Sequence, residues 1–107
     1  MRLPPALTAS ATPRIIELLG EPPGRVLELG FAGIHAEPLR LAGFEVVVVE
    51  PDPAHLDRAR ERAGEALPAP PAGHFDAVVA REDLDLGGID AARRIVVARD
   101  GSVTERR

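Results

Sequence analysis

Cysteine is absent from this 107-residue chain, which removes disulfides, thiolate nucleophiles and Cys-ligated zinc together. Lysine, tyrosine, tryptophan, asparagine and glutamine are also missing, so neither a Schiff-base amine nor a phenolic acid is available to a reaction. Only three histidines, His35, His55 and His74, can titrate near neutrality. No run approaches the ~20 apolar residues of a membrane span, and Met1 to Ala11 lacks an apolar core of signal-peptide length. Neither a membrane nor an export route is expected, and the cytoplasm is the default compartment. The thirteen basic residues are all Arg against seventeen acidic ones, and the net charge of −4 argues against nucleic acid as a partner. The exclusive use of Arg reads as codon usage of a GC-rich genome rather than as function.

The length fits one hydrophobic core, so residues 1–107 are expected to form a single domain, with 1–12 as an N-terminal extension. Thr12-Pro13, then Ile15, Leu18, Leu19 and Gly20, predict a short helix with Thr12 as its cap. Arg25 to Gly30 reads as a strand, Ala36 to Ala42 as a short helix, and Glu45 to Glu50 as a β-branched strand of the kind buried in parallel sheets. Asp52 caps the next helix, with Pro53 at its first position and Gly64 beyond its end. Three prolines make Glu65 to Ala72 an irregular connector, and Phe75 to Ala80 a further strand. For Asp90 to Ala98 a helix is favoured, followed by a turn and a last strand from Ser102 to Arg106. The alternative is a hairpin of 94–98 with 102–106 across a type I′ turn at Asp100-Gly101. Alternating strands and helices define an α/β, Rossmann-like fold with a mostly parallel sheet of about four strands, ordered 45–50, 26–29, 75–80, 102–106, and helices on both faces.

Gly30-Phe31-Ala32-Gly33 directly follows a strand and opens a helix, and Glu50 ends the next strand. Glycines allow a tight turn and close approach to a ligand, and a carboxylate at the tip of the second strand can accept the hydroxyls of a ribose. Gly30 and Gly33 also suit any tight strand-to-helix turn. Glu28 either orients the glycine loop and touches ligand or only accepts hydrogen bonds from loop amides. Arg81-Glu82-Asp83 lies at a strand's carboxyl end, where open α/β sheets place ligands, although such a charge run is commonly a solvated loop.

At these residues the chain resembles the class I S-adenosylmethionine-dependent methyltransferases. Val26-Leu27-Glu28-Leu29-Gly30 is similar to their first motif, and Val46 to Glu50 with Pro51-Asp52-Pro53 to their second strand and ribose acid. Phe75 to Val79 and Arg99-Asp100-Gly101 resemble their fourth strand and the turn before their fifth. The resemblance implies S-adenosylmethionine as cofactor, contacted by Glu28, Gly30, Phe31, Gly33, Glu50 and Pro51, and a small-molecule methyl acceptor. It assigns no catalytic residue and no metal. The chain departs from the family pattern at Ala32, where a glycine is usual, at Ile34, which would crowd a cofactor, and near Ala63-Gly64, where a third strand and an adenine-binding Asp are missing. The expected function is therefore a methyltransferase-like protein with a reduced cofactor site. Alternatives are a non-catalytic binding or assembly module of the same fold and a flavin or nicotinamide binder. An open sheet edge at residues 102–106 leads to the expectation of a homodimer or of a completing partner chain.

Overall fold

The computed structural model describes residues 9–106. A 3-10 turn at Ala9–Ala11 leads into α1, Thr12–Leu19, followed by β1, Arg25–Leu29; α2, Ala36–Leu41; β2, Glu45–Val49; and α3, Pro53–Ala63. The remaining elements are β3, His74–Arg81; β4, Asp90–Val97; and β5, Val103–Arg106. They form one five-stranded sheet in the order β2-β1-β3-β4-β5, parallel except for the antiparallel β4–β5 pair. The fold is α/β with a mostly parallel sheet, as expected from the alternating elements.

Several expectations change. Residues 90–97 form a strand rather than the favoured helix, so the sheet has five strands, and the last strand pairs with β4 instead of with β3. Ala91-Ala92-Arg93-Arg94 has good helix propensity, but the slot between β3 and β5 buries Ile95, Val96 and Val97 completely or nearly so, and packing outweighs propensity. The hairpin alternative has the right pairing but a different turn. Ala98 and Ser102 close a three-residue loop in which Gly101 alone has a positive φ, +88°, whereas type I′ would require two such residues. Of the extension predicted for 1–12, only Ala9 to Thr12 fall among the described residues. Ala11 and Thr12 are buried in the domain, while residues 1–8 of that expected extension lie outside the described residues.

Among the described residues the helices cover one face of the sheet and not the two that were expected. Ile15 and Leu19 of α1, Ala36 and Leu39 of α2, and Ala59 and Ala63 of α3 all join one core with Val26, Val46, Val48, Val79 and Ile95. The opposite core, Leu27, Leu29, Val49, Phe75, Val78 and Ala80, is covered among the described residues by loop side chains: Leu67, Leu84, Leu86 and Ile89. The chain passes from β3 to β4 through residues 82–89, without the helix that usually makes a parallel crossover. Leu67 forms a single parallel bridge to Val49, a one-residue strand on the outer edge of β2. No helix among the described residues is long and apolar enough to cross a membrane.

Arg93 fastens the reassigned segment to the rest. Its guanidinium donates to both carboxylate oxygens of Glu105 on β5, at 2.8 and 2.6 Å, to the Leu19 carbonyl at 3.0 Å, and to the Leu18 carbonyl at the end of α1. Arg93→Ala should destabilise the fold by about 1–2 kcal/mol, the scale of charged hydrogen bonds reduced for partial exposure. Arg93→Lys should recover little, because one ammonium cannot span three acceptors. Urea denaturation decides: an alanine variant with the wild-type midpoint would mean the clamp adds nothing.

Candidate functional site

The carboxyl ends of β1, β2 and β3 converge on a crevice lined by Gly30, Phe31, Ala32, Glu50, Asp52, His55, Arg58, Arg62 and Arg81. Its free volume is about 80 Å³, against the roughly 300–1,000 Å³ of pockets that enclose drug-sized ligands. Of the residues predicted to touch a cofactor, Gly30, Phe31 and Glu50 line this crevice; Glu28, Gly33 and Pro51 do not.

Glu50 is 2% exposed, and both of its oxygens accept backbone N–H groups: Ala32 at 2.9 Å and Asp52 at 3.0 Å. It thereby ties the turn after β1 to the turn after β2. Ala32 occupies the left-handed region at φ +51°, so the position where a glycine is usual keeps a glycine-like backbone. A branched Ile34 does not crowd the crevice, because it packs against the helix-covered core.

The two glycines serve close approach inside the protein. A Cβ on Gly30, at φ +85°, would meet the Leu84 Cδ1 at 2.5 Å, and one on Gly33, at φ +78°, would meet the Ala59 carbonyl oxygen of α3 at 3.1 Å. Leu84 and the Arg81 side chain therefore lie over Gly30, and α3 lies against Gly33.

Glu28 points away from the crevice. It is fully buried in β1, and one oxygen accepts the His35 backbone N–H at 2.8 Å, so it orients the start of α2. Its other oxygen has no hydrogen-bond partner. Burial pushes its carboxyl from 4.5 up to about 7, against the opposing hydrogen bonds from the backbones of His35 and Gly33 and the charge of Arg40. His35 is equally buried, with Nδ1 at 2.7 Å from the Thr12 hydroxyl, Nε2 unpartnered, and its ring edge-on to Phe31 at 4.7 Å. Burial lowers its pKa from 6.5 to about 4. Thr12 is thus not the helix cap that its position suggests; Ala11 occupies that place, and the Thr12 hydroxyl joins α1 to the start of α2.

Sequence reasoning missed the arginines of the crevice as a set. Arg58 and Arg62, four apart on α3, share the face that follows the acid-ending strand, and that spacing was the available signal. His55 is at the crevice mouth, with its side chain 53% exposed. Arg81 reaches the crevice, while Glu82 and Asp83 do not line it. Among the described residues, no three His, Asp or Glu side chains are grouped to hold a metal ion.

The fold and crevice define an α/β domain whose second face is covered, among the described residues, by loop side chains, with a small crevice at the carboxyl ends of its parallel strands. No protein-family model matches the chain, and no curated protein matches it.

The buried pair makes a pH prediction. Between about pH 4.5 and 7 the folded protein keeps a proton on Glu28 that the unfolded chain has released, so stability falls as pH rises. Between about pH 4 and 6.5 the unfolded chain binds a proton that buried His35 does not, so stability rises with pH. The two slopes oppose each other, each at most about 1.4 kcal/mol per pH unit. Glu28→Gln should leave the His35 slope exposed, and its stability relative to wild type should climb as pH rises from 4.5 towards 7. Denaturant melts across that window provide the check, and parallel profiles for the two proteins would remove Glu28 from the linkage.

Proposed function

We propose that this chain is a methyltransferase-like domain acting as a binding module, with a reduced site for an S-adenosylmethionine-type ligand in the crevice between the Gly30 turn and Glu50. The observation that carries this reading is the double commitment of Glu50. A carboxylate at the tip of the second strand stands where a ribose acid would be, yet it is buried and accepts the Ala32 and Asp52 amides. Leu84 and Arg81 lie over Gly30 and narrow the approach to the glycine turn, which supports a reduced site over a complete one. A complete methyltransferase acting on a small molecule is the less supported form of the same reading. A flavin or nicotinamide binder, with a larger nucleotide at the same glycine turn, is the remaining reading.

Titration calorimetry with S-adenosylhomocysteine tests the reading. Weak binding is expected, with a dissociation constant above about 1 μM. Glu50→Ala, verified as folded by circular dichroism, should weaken it by about 1.5–3 kcal/mol, the scale of hydrogen bonds to a charged group. Submicromolar affinity would show the site to be complete, and affinity unchanged in the variant would take Glu50 out of it.

Assembly is part of the same proposal. Strand β5 ends the sheet, and Thr104, Glu105 and Arg106 along it are exposed, without a proline to interrupt pairing. A second copy joined along β5 gives a homodimer, and a different chain there would be the completing partner. Light scattering at tens of micromolar should return a dimer mass; a mass near 11.4 kDa would exclude the homodimer.

A further inference from the structure

Three guanidinium groups face the crevice without a carboxylate that fully engages them. The Arg58 side chain makes no hydrogen bond or ion pair among the described residues. Arg62 gives one long hydrogen bond, 3.3 Å, to the Ala32 carbonyl. Arg81 lies over the Gly30 turn, where a Cβ on Gly30 would sit 3.4 Å from its Nε. That nitrogen is buried without a hydrogen-bond partner, and the nearest carboxylate, Asp83, is 3.6 Å away.

The carboxylates of the crevice are committed elsewhere. Both Glu50 oxygens accept backbone amides, and Asp52 accepts the Ala54 N–H at 2.9 Å while its second oxygen lies 3.5 Å from His55. The lining thus holds three guanidiniums against two carboxylates that are already hydrogen-bonded. The free volume of about 80 Å³ is well below the roughly 300–1,000 Å³ of pockets that enclose drug-sized ligands, which suits a small tetrahedral oxyanion better than a whole enclosed nucleoside. Guanidinium groups match such an anion through paired N–H donors.

From these observations we infer that the crevice binds a phosphate group, free or carried on a nucleoside, through Arg58, Arg62 and Arg81. This rests on the binding-module reading for the location of the site and adds the chemistry of its ligand. A phosphate enters the crevice, and any nucleoside attached to it stays outside, near the exposed His55 and Arg58.

Calorimetric titrations at low salt with inorganic phosphate, adenosine 5′-monophosphate and adenosine test the inference. Phosphate should bind with a dissociation constant of about 1 mM or below. Arg58→Ala, Arg62→Ala and Arg81→Gln should each weaken it at least about tenfold, the loss of one charge-assisted hydrogen bond. Arg14→Ala, an exposed arginine of α1 outside the crevice, should leave it unchanged. Equal affinity for phosphate and the monophosphate supports a free phosphate group, and tighter binding of the monophosphate supports a nucleoside carrier. Adenosine binding as well as its monophosphate would overturn the inference, as would failure of both phosphate compounds to bind or an equal loss in Arg14→Ala. S-adenosylhomocysteine separates the two proposals: phosphate binding without it leaves this inference standing and removes the cofactor reading, and the opposite result does the reverse.

Discussion

Two buried carboxylates hold the turn after β1, and the placement of α2, β2 and α3 depends on them. Glu28 accepts the His35 amide from inside the sheet, and Glu50 accepts the Ala32 and Asp52 amides from its end. A left-handed alanine costs about 1–2 kcal/mol, and the Glu50 bond to its N–H offsets that strain by satisfying a donor that would otherwise lie against protein. Asp52 then caps α3 through the Ala54 N–H, so one carboxylate fixes the turn, and the turn positions the cap of the next helix. α3 in turn lies against Gly33, closing the circuit through backbone rather than side chains.

The asymmetry of the sheet's two faces follows from its connections. The steps from β1 to β2 and from β2 to the bridge at Leu67 run in one direction, and right-handed crossovers place α2 and α3 on the same face. The chain then turns back to β3, which lies on the other side of β1, through an irregular proline-rich segment. The step from β3 to β4 would set a helix on the second face, but residues 82–89 replace it with Leu84, Leu86 and Ile89. The short loop has a consequence at the site, since Leu84 lands on the Gly30 turn.

Local signals were legible where one residue dictates the backbone. Asp52-Pro53 to Gly64 is a helix with the predicted cap, and the valine run of β2 is buried at the predicted place. The strand at 90–97 was legible only in its second half, as the hairpin alternative, because its first half carries helix formers and the gap between β3 and β5 selects extended structure there. Glu28 shows another limit. Its spacing to Gly30 marks it as important, but spacing cannot say whether an acid in a buried strand faces a ligand or the start of the next helix. The bridge at Leu67 is a single pair inside a proline-rich segment, too short for any periodicity to reveal. Arg58, Arg62 and Arg81 meet only after β2, α3 and β3 are assembled, so no stretch of sequence contains the cluster.

The commitment of Glu50 limits what a ligand can take from it without closing the site. An ionised carboxylate offers about four lone-pair positions, and two backbone amides occupy one on each oxygen. A ligand hydroxyl could engage the remaining positions only from the crevice side, where just 2% of the residue is accessible. The guanidiniums are in the opposite situation, since Arg58 and Arg62 are exposed and Arg81 partly so. The groups open to a ligand at this crevice are therefore its cations more than its acid. A ligand with negative charge close to the glycine turn meets donors that are only weakly engaged, by the Ala32 carbonyl at 3.3 Å and Asp83 at 3.6 Å, whereas a neutral ribose meets an acceptor already in use.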